Sequence, residues 1–167
     1  MNIITIDKGN YFSFLNIFRN FETNTIREKE LIDSMILKVK KSDSVIYLLQ
    51  LNQQYIGFIA VSASKLLVDL EGIPSIEVNY LFVDKKYRKK EFQKLNNLKA
   101  SLFLLGVIQE IALDLKTQIG IRYLILYPDK QNKSLTDFYT KIGFHKQKII
   151  LWNNKKRDIE YWMIKKL

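Results

Sequence analysis

The segment "YPDKQNKSLTDFYTKIGFHK", residues 127–146, gathers several side chains whose types and spacing could do chemistry. An apolar strand pattern leads to Asn132, and a short helix pattern then carries the aromatic pair Phe138 and Tyr139. Gly143 stands where a helix terminator is expected, and His145 follows it. Phenol and imidazole groups are the kind that transfer protons in active sites. The competing interpretation is that the aromatic pair only packs and that His145 is an ordinary surface side chain.

Other chemistries find little support in the sequence. The chain has one histidine and no cysteine, which removes disulfides, thiolate metal sites and cysteine nucleophiles. No carboxylate cluster has the spacing of a metal site, so we expect no metal. The nucleotide-binding patterns GxGxxG and GxxxxGK followed by Ser or Thr do not occur. A Rossmann or Walker-type protein is therefore not indicated.

The elements that must position the segment follow from apolar periodicity. Thr25 and Glu28 form a capping-box pattern before a helix with an apolar stripe. Two strand-like runs come next, and Gly57 in the second suggests a bulge or a close approach of two backbones. A long helix pattern ends at Gly120. The order β–α–α–β–β–β–α–β–α–β–β predicts one α/β domain over residues 1–167, with a mixed sheet.

Composition indicates the class of protein. At 167 residues and 47% hydrophobic content, the chain can bury a core as one globular domain. No apolar run approaches the roughly 20 residues that span a bilayer, so no membrane partner is expected. The N-terminus has no basic region before an apolar stretch, which argues against a secretory signal. A cytoplasmic location fits these features and the lack of cysteine.

The formal charge of +10 favours a polyanionic partner such as nucleic acid or a phosphorylated cofactor. A general lysine bias in the source would produce the same total, and both interpretations stay open. The distribution is uneven, with one basic cluster at residues 85–99 and another at residues 146–166. Most of the first cluster lies in "YRKKEFQKLNNLKAS", residues 87–101, which contains no glycine.

Taken together, the order of elements and the "FY" and "IGF" pairs resemble the GNAT superfamily of acetyl-CoA-dependent N-acetyltransferases. "SIEVNYLFVDKKYR" resembles the family's central strand, and "SLFLLGVIQEIA" resembles the helix that follows it. The resemblance covers roughly residues 45–167, and the first strand and two helices fit the usual start of the fold. It implies a twisted mixed sheet of about six to seven strands with helices on both faces. Two parallel strands splay apart in this fold and form the acetyl-CoA cleft.

The resemblance also implies where acetyl-CoA binds. The pantetheine arm would pair with the backbone at the end of the central strand, and Asn132 and Phe138 belong to the family's C-terminal motif. The pyrophosphate would meet the start of the next helix, where amide groups and the helix dipole favour an anion. The family's turn there usually contains two small residues, most often glycine, and this chain departs from that pattern. We place the turn at residues 96–101, after a basic insertion. The expected cofactor-binding residues are Leu81, Phe82, Val83, Lys99, Ala100, Ser101, Asn132, Phe138 and Tyr139.

For catalysis, the resemblance implies that Tyr139 serves as the general acid that protonates the leaving thiolate. The alternative for Tyr139 is a packing role. Glu77 on the central strand is the candidate general base, acting through water, although the alternation of the strand would equally place it on a solvated face. Backbone amides near Leu81 to Val83 would polarise the thioester carbonyl.

Three functions remain open at this point. The first is acetylation of a small-molecule or protein amine. The second rests on a weaker resemblance to the GNAT toxins, which acetylate aminoacyl-tRNA, and makes tRNA a partner held by the basic clusters. The third is a non-catalytic GNAT-fold binding module, suggested by the glycine-free turn. The oligomeric state is open between a monomer and a homodimer.

Overall fold

The computed structural model describes residues 1–68, 71–128, 133–153 and 156–167. Four α-helices and nine strands lie in these ranges, and their order agrees with the predicted one except for an added pair of short strands. The elements are β1 (Asn2–Ile6), α1 (Leu15–Asn20), α2 (Ile26–Lys40), β2 (Val45–Leu51), β3 (Gln54–Val68), β4 (Glu71–Val83), β5 (Glu91–Phe92), β6 (Leu98–Lys99), α3 (Ala100–Ile119), β7 (Tyr123–Leu126), α4 (Lys133–Lys141), β8 (His145–Asn153) and β9 (Lys156–Lys166).

Seven strands form one mixed sheet in the order β1-β2-β3-β4-β7-β9-β8, and β5 pairs with β6 separately. β4 and β7 run parallel, with α3 as the crossover between them, whereas β7 and β9 are antiparallel. Parallel neighbours need such a crossover because their ends lie at opposite edges. The predicted α/β class and mixed sheet are confirmed. Among the described helices, none is both long and apolar enough to cross a bilayer.

The chain divides into two compact units, Met1–Ser62 with Asn79–Ile108, and Ala63–Val78 with Gln109–Leu167. β3, β4 and α3 each contribute residues to both units. That residues 1–167 form a single domain stays a prediction.

The first unit packs around an aromatic cluster. Phe58 of β3 contacts Phe18, Phe21 and Phe82, with ring centroids 5.3 to 5.9 Å apart. Three residues of the stripe on α2, Ile32, Met35 and Val39, are buried against the same cluster. Thr25 caps α2 as predicted, because its Oγ1 accepts a hydrogen bond from the backbone N–H of Glu28 at 3.2 Å.

In the second unit, α3 and α4 are each followed by a glycine turn that the sequence predicted. Gly120 ends α3 with a φ of 75°, and Gly143 follows α4 with a φ of 91°. Both angles are in the left-handed region, where side chains other than glycine are strained. The second turn is fixed further by hydrogen bonds from the N–H groups of Ile142 and Phe144 to the carbonyl of Tyr139.

Candidate acetyl-CoA and catalytic site

The end of β4 is the place where the pantetheine arm is predicted to bind. β4 pairs with β7 over Ser75 to Val78 and then continues to Val83, past the end of β7. The carbonyl of Phe82 lies against Gly57 of β3, where an added Cβ would be 2.3 Å from it. This confirms the close backbone approach predicted at Gly57. Successive backbone groups of a strand point to opposite edges, so those of Leu81 and Val83 point away from β3.

The three residues predicted at this strand end therefore differ in which backbone groups could bind a ligand. Phe82 is buried in the aromatic cluster, and its backbone carbonyl is directed at β3. The carbonyl of Val83 accepts a hydrogen bond from Nε of Arg88 at 2.8 Å. The N–H of Val83 and the backbone groups of Leu81 are thus the ones suited to a ligand along this edge.

β4 is irregular just before this end. The ring of Tyr80 packs on Phe58, with centroids 5.9 Å apart, while the side-chain amide of Asn79 donates to Oγ of Ser62 at 3.1 Å. Phe58 and Ser62 lie on the same face of β3. Consecutive side chains of a regular strand point to opposite faces, so β4 changes register between Asn79 and Tyr80. A bulge of this kind bends the strand and redirects its end.

Arg88 is committed to a structural ion pair. Its guanidinium donates two hydrogen bonds of 2.9 Å to the carboxylate of Glu28 on α2 and lies 5.4 Å from the ring centroid of Phe82. Burial alone would raise the pKa of Glu28, but the hydrogen bonds from Arg88 and from the N–H of Asn24 outweigh it and lower that pKa. Arg88 is therefore not the start of a phosphate turn, which agrees with placing that turn further along the chain.

The basic insertion is a folded hairpin. β5 and β6 pair through Glu91 with Lys99 and Phe92 with Leu98, and the turn between them contains Asn96 and Asn97. Both asparagines are left-handed, with φ of 55° and 61°. Asparagine tolerates this region better than other residues with a side chain. The two asparagines thus provide the backbone conformation for which the family uses glycine.

The hairpin is anchored to the first unit rather than projecting from it. The hydroxyl of Tyr87 donates to Oε1 of Gln54 at 2.8 Å, and the ammonium of Lys94 contacts Oδ1 of Asn52. The lysines themselves remain exposed. Lys85, Lys86, Lys89, Lys90, Lys94 and Lys99 form this exposed set, which we call the hairpin lysines.

α3 begins directly after the hairpin, at Ala100. Ala100 is buried, Ser101 is partly buried and Lys99 is exposed, and no acidic side chain lies in the first turn. The first amides of a helix have no partner within it and carry a partial positive charge. Ala100 and Ser101 thus lie in the first turn of α3, and their binding of the pyrophosphate stays a prediction.

Tyr139 lies on α4 in the second unit. Its side chain is 7% exposed, and its ring contacts those of Phe138 and Phe144 at 5.2 and 5.7 Å between centroids. Burial raises the pKa of Tyr139 to about 12, because the phenolate would be poorly solvated there. The hydroxyl therefore keeps its proton at neutral pH and favours hydrogen-bond donation.

The end of α4 is held by a cation. The ammonium of Lys165 donates to the carbonyl of Ile142 at 3.0 Å and to Oε1 of Gln109 on α3 at 2.8 Å. It also lies 5.9 Å from the ring centroid of Phe144. Since Phe144 and Ile142 both donate to the carbonyl of Tyr139, Lys165 fixes the turn that follows the tyrosine.

Glu77 is half-buried on β4 within the second unit, and its Oε2 accepts a hydrogen bond from Oγ of Ser64 at 3.1 Å. Asn132 lies outside the described residues. The predicted residues thus form two groups: Leu81 to Val83 with Lys99 to Ser101 in the first unit, and Glu77, Phe138 and Tyr139 in the second.

Sequence reasoning missed the Arg88–Glu28 pair and the β5–β6 hairpin. The Asn96-Asn97 dipeptide was a usable signal for the hairpin turn, because adjacent asparagines favour left-handed conformations. The ion pair joins residues 60 positions apart, so no local sequence pattern predicts it.

Sheet order, the parallel β4–β7 pair and the α3 crossover define the GNAT fold, which confirms the resemblance seen in the sequence. At the level of sequence, no family model and no curated protein matches the chain. The similarity is therefore one of structure.

Three solved structures illustrate this similarity. A bacterial toxin superposes with a TM-score of 0.68 at 16% identity, covering 99% of this chain and 89% of the toxin. AtaT complexed with acetyl-methionyl-tRNAfMet gives 0.66 at 14% identity, covering 96% of this chain and 92% of AtaT. Arabidopsis thaliana NAA60 in complex with a bisubstrate analogue gives 0.58 at 15% identity, covering 99% and 98%.

Proposed function

We propose that this protein is an N-acetyltransferase that transfers the acetyl group of acetyl-CoA directly to a primary amine. The observation that carries the proposal is the end of β4, where the strand continues past its pairing with β7. Leu81 and the N–H of Val83 would pair with the pantetheine arm. The structurally similar AtaTR has been solved bound with acetyl-CoA.

The start of α3 supports the same substrate. The amides of Ala100 and Ser101 would bind the pyrophosphate, and the exposed ammonium of Lys99 adds positive charge beside them. The absence of acidic side chains from the first turn of α3 fits an anion. The left-handed Asn96 and Asn97 supply positive φ angles in a turn that lacks glycine.

In the reaction we propose, the neutral amine attacks the thioester carbonyl carbon, and the C–S bond breaks as the amide bond forms. The amine loses one proton, which Glu77 would accept through water. The sulfur leaves as a thiolate, and Tyr139 would donate a hydrogen bond and then a proton to it. The N–H of Val83 would stabilise the oxyanion of the tetrahedral intermediate.

A second candidate, acetylation of aminoacyl-tRNA, is favoured by the hairpin lysines. Lys94 and Lys99 lie on the β5–β6 hairpin and the other four directly precede it. All six are exposed on the first unit, which gives phosphate groups a cationic surface. The similar AtaT has been solved with acetyl-methionyl-tRNAfMet. Under this candidate the hairpin lysines hold the tRNA and the aminoacyl amine is the acceptor.

One experiment tests both candidates. Transfer of labelled acetyl from acetyl-CoA is measured with small amines, with peptides and with charged tRNA. We expect transfer to at least one of these three classes. Acetyl-CoA binding without transfer to any acceptor would instead support the non-catalytic binding module.

Variants of two hairpin lysines, Lys89 and Lys90, separate the two candidates. Lys89 has a φ of 66°, so glycine replaces it with less strain than alanine. The K89G/K90A variant should slow transfer to charged tRNA, most strongly at low salt, and leave small amines unaffected. The control K40A/K41A removes the same charge from the end of α2. Equal effects of the two variants on tRNA would count against a specific hairpin surface.

A further inference from the structure

The last residues of β4 extend beyond the strand that pairs with them on one side. Among the described residues, β7 pairs with β4 only from Ser75 to Val78, whereas β4 continues to Val83. Strand ends that lack a neighbour open readily, so pairing alone does not fix the direction of their backbone groups. A backbone donor at this edge therefore needs another contact that keeps its direction.

The peptide group that follows Val83 has such contacts at both ends. Its oxygen, the carbonyl of Val83, accepts a hydrogen bond from Nε of Arg88 at 2.8 Å. Its nitrogen, the N–H of Asp84, donates to the carbonyl of Ile56 on β3 at 2.9 Å. Both distances are those of good N–H···O hydrogen bonds. Arg88 thus supplies, at the open edge, the hydrogen bond that a neighbouring strand would otherwise donate.

The guanidinium of Arg88 is itself held in place. Its two terminal nitrogens donate to the two carboxylate oxygens of Glu28 at 2.9 Å, and Oε2 of Glu28 also accepts from the N–H of Asn24 at 2.7 Å. The side chains of Arg88 and Glu28 are only 27% and 24% exposed. Bidentate, charge-assisted hydrogen bonds of this kind add geometric specificity as well as energy. The donor at the carbonyl of Val83 therefore has a fixed position.

This contact determines where the N–H of Val83 points. In an extended strand, the N–H and the carbonyl of one residue point to the same edge. Holding the carbonyl of Val83 towards Arg88 therefore also directs the N–H of Val83 to the open edge. A donor that is already oriented stabilises a developing oxyanion without a reorganisation cost during the reaction.

We propose that Arg88 is a positioning residue of the acetyltransferase site, because it keeps the N–H of Val83 directed at the thioester carbonyl. This inference rests on the proposed function, in which that N–H stabilises the oxyanion. Arg88 acts through the backbone of Val83 and does not itself contact the substrate. This role is separable from the ion pair with Glu28, since the two contacts use different nitrogens of the guanidinium.

The direct test observes the N–H of Val83 by NMR. Phe82–Val83 is the only Phe-Val pair in the sequence, so carbonyl-labelled phenylalanine with nitrogen-labelled valine selects a single backbone signal. R88M removes both contacts of the guanidinium, whereas the control E28Q removes the charge of Glu28 and keeps Arg88. We expect saturating acetyl-CoA to shift the signal downfield in wild type and E28Q, and by at most about half as much in R88M. Equal shifts in R88M and E28Q would overturn the proposal.

A kinetic measurement separates a positioning role from a purely structural one. R88M should have a kcat for acetyl transfer about ten-fold below that of E28Q, because the oxyanion donor loses its direction. The KM for acetyl-CoA should stay within about three-fold, since Leu81 and the start of α3 are unchanged. R88K, a milder change that keeps the charge, is measured alongside, so that the comparison does not depend on the folding of R88M. Its kcat should lie between those of R88M and wild type.

The outcomes distinguish failure of this inference from failure of the proposed function. Equal kcat values in R88M, R88K and E28Q would reject the positioning role while leaving acetyl transfer in place. Transfer by the wild-type protein without any movement of the Val83 signal would reject it in the same way. If the wild-type protein neither binds acetyl-CoA nor transfers its acetyl group, the proposed function fails and the role of Arg88 is rejected with it.

Discussion

The buried environment of Tyr139 determines the pKa of its hydroxyl group. Two aromatic rings and the turn after α4 enclose it, and burial raises its pKa to about 12. A phenol in such a site stays protonated, so it is always ready to donate a hydrogen bond to a developing thiolate. The raised pKa disfavours early loss of the proton, so we propose that the hydrogen bond first stabilises the leaving sulfur and that the proton follows.

The Y139F variant should lower kcat for acetyl transfer by about 100-fold, because the only group removed is the hydroxyl that we propose meets the thiolate. Acetyl-CoA affinity should stay within about two-fold, since the ring and its packing remain. Steady-state kinetics and calorimetry measure the two quantities. Y161F, which changes an exposed tyrosine of the same unit, is the control. An unchanged kcat in Y139F would remove Tyr139 from the acid role.

Arg88 contributes to the stability of the fold through its ion pair with Glu28. We expect R88M to lower the free energy of unfolding by about 1–3 kcal/mol, because Glu28 loses two charge-assisted hydrogen bonds. R88K should be intermediate, since lysine cannot make the bidentate contact. Urea unfolding at neutral pH measures both.

The pH dependence of this effect follows from the lowered pKa of Glu28. A depressed carboxyl pKa stabilises the fold above the ordinary value of 4.5, and this contribution disappears as the pH falls below it. The difference in unfolding free energy between wild type and R88M should therefore shrink towards about pH 3, leaving the part that comes from the contacts of Arg88 with Val83 and Phe82. A constant difference down to that pH would contradict the ion-pair account.

At the scale of elements, the start of α3 and the hairpin before it form the segment that we propose binds the pyrophosphate of acetyl-CoA. The hairpin holds two consecutive left-handed asparagines, and the helix follows β6 without an intervening loop. The first-turn amides are therefore fixed by a folded element and not by a flexible insertion. We propose that this arrangement takes the place of a glycine-rich turn.

A charge introduced at Ser101 tests this role. Glutamate in the first turn of a helix interacts favourably with the dipole, so S101E should retain or slightly raise the thermal stability. It should nevertheless weaken acetyl-CoA binding at least ten-fold, because its carboxylate would repel the pyrophosphate. Q118E, at the exposed far end of the same helix, is the matched control for charge. If both variants bind acetyl-CoA equally well, the pyrophosphate does not lie at this helix end.

Short-range features of the elements could be read from the sequence. The Thr25 cap, the close approach at Gly57 and the terminators Gly120 and Gly143 each depend on one residue type in a local pattern. The β5–β6 hairpin was missed because its two-residue strands are too short to show any periodicity. The burial of Tyr139 and the unpaired N–H of Trp162 depend on distant segments, and only the folded structure reveals them.

At the scale of the whole molecule, the GNAT fold is kept although the sequence identity to similar structures is low. Identity to the similar solved structures is only 14–16%, yet strand order and the α3 crossover are kept. The order of elements in the sequence carried enough information to predict the GNAT fold. The acceptor would depend on individual side chains, and Glu77 and the hairpin lysines are the candidates that we propose for it.

Calorimetric titration of the wild-type protein with acetyl-CoA tests the central claim most directly, because both catalytic candidates require this substrate. We predict saturable binding with one site per chain and a dissociation constant between about 1 and 100 µM. Free CoA, which keeps the pantetheine arm and the pyrophosphate, should bind with similar affinity. Both compounds should be tested at concentrations several times higher than about 100 µM. No detectable heat of binding for either would contradict the assignment as an acetyltransferase.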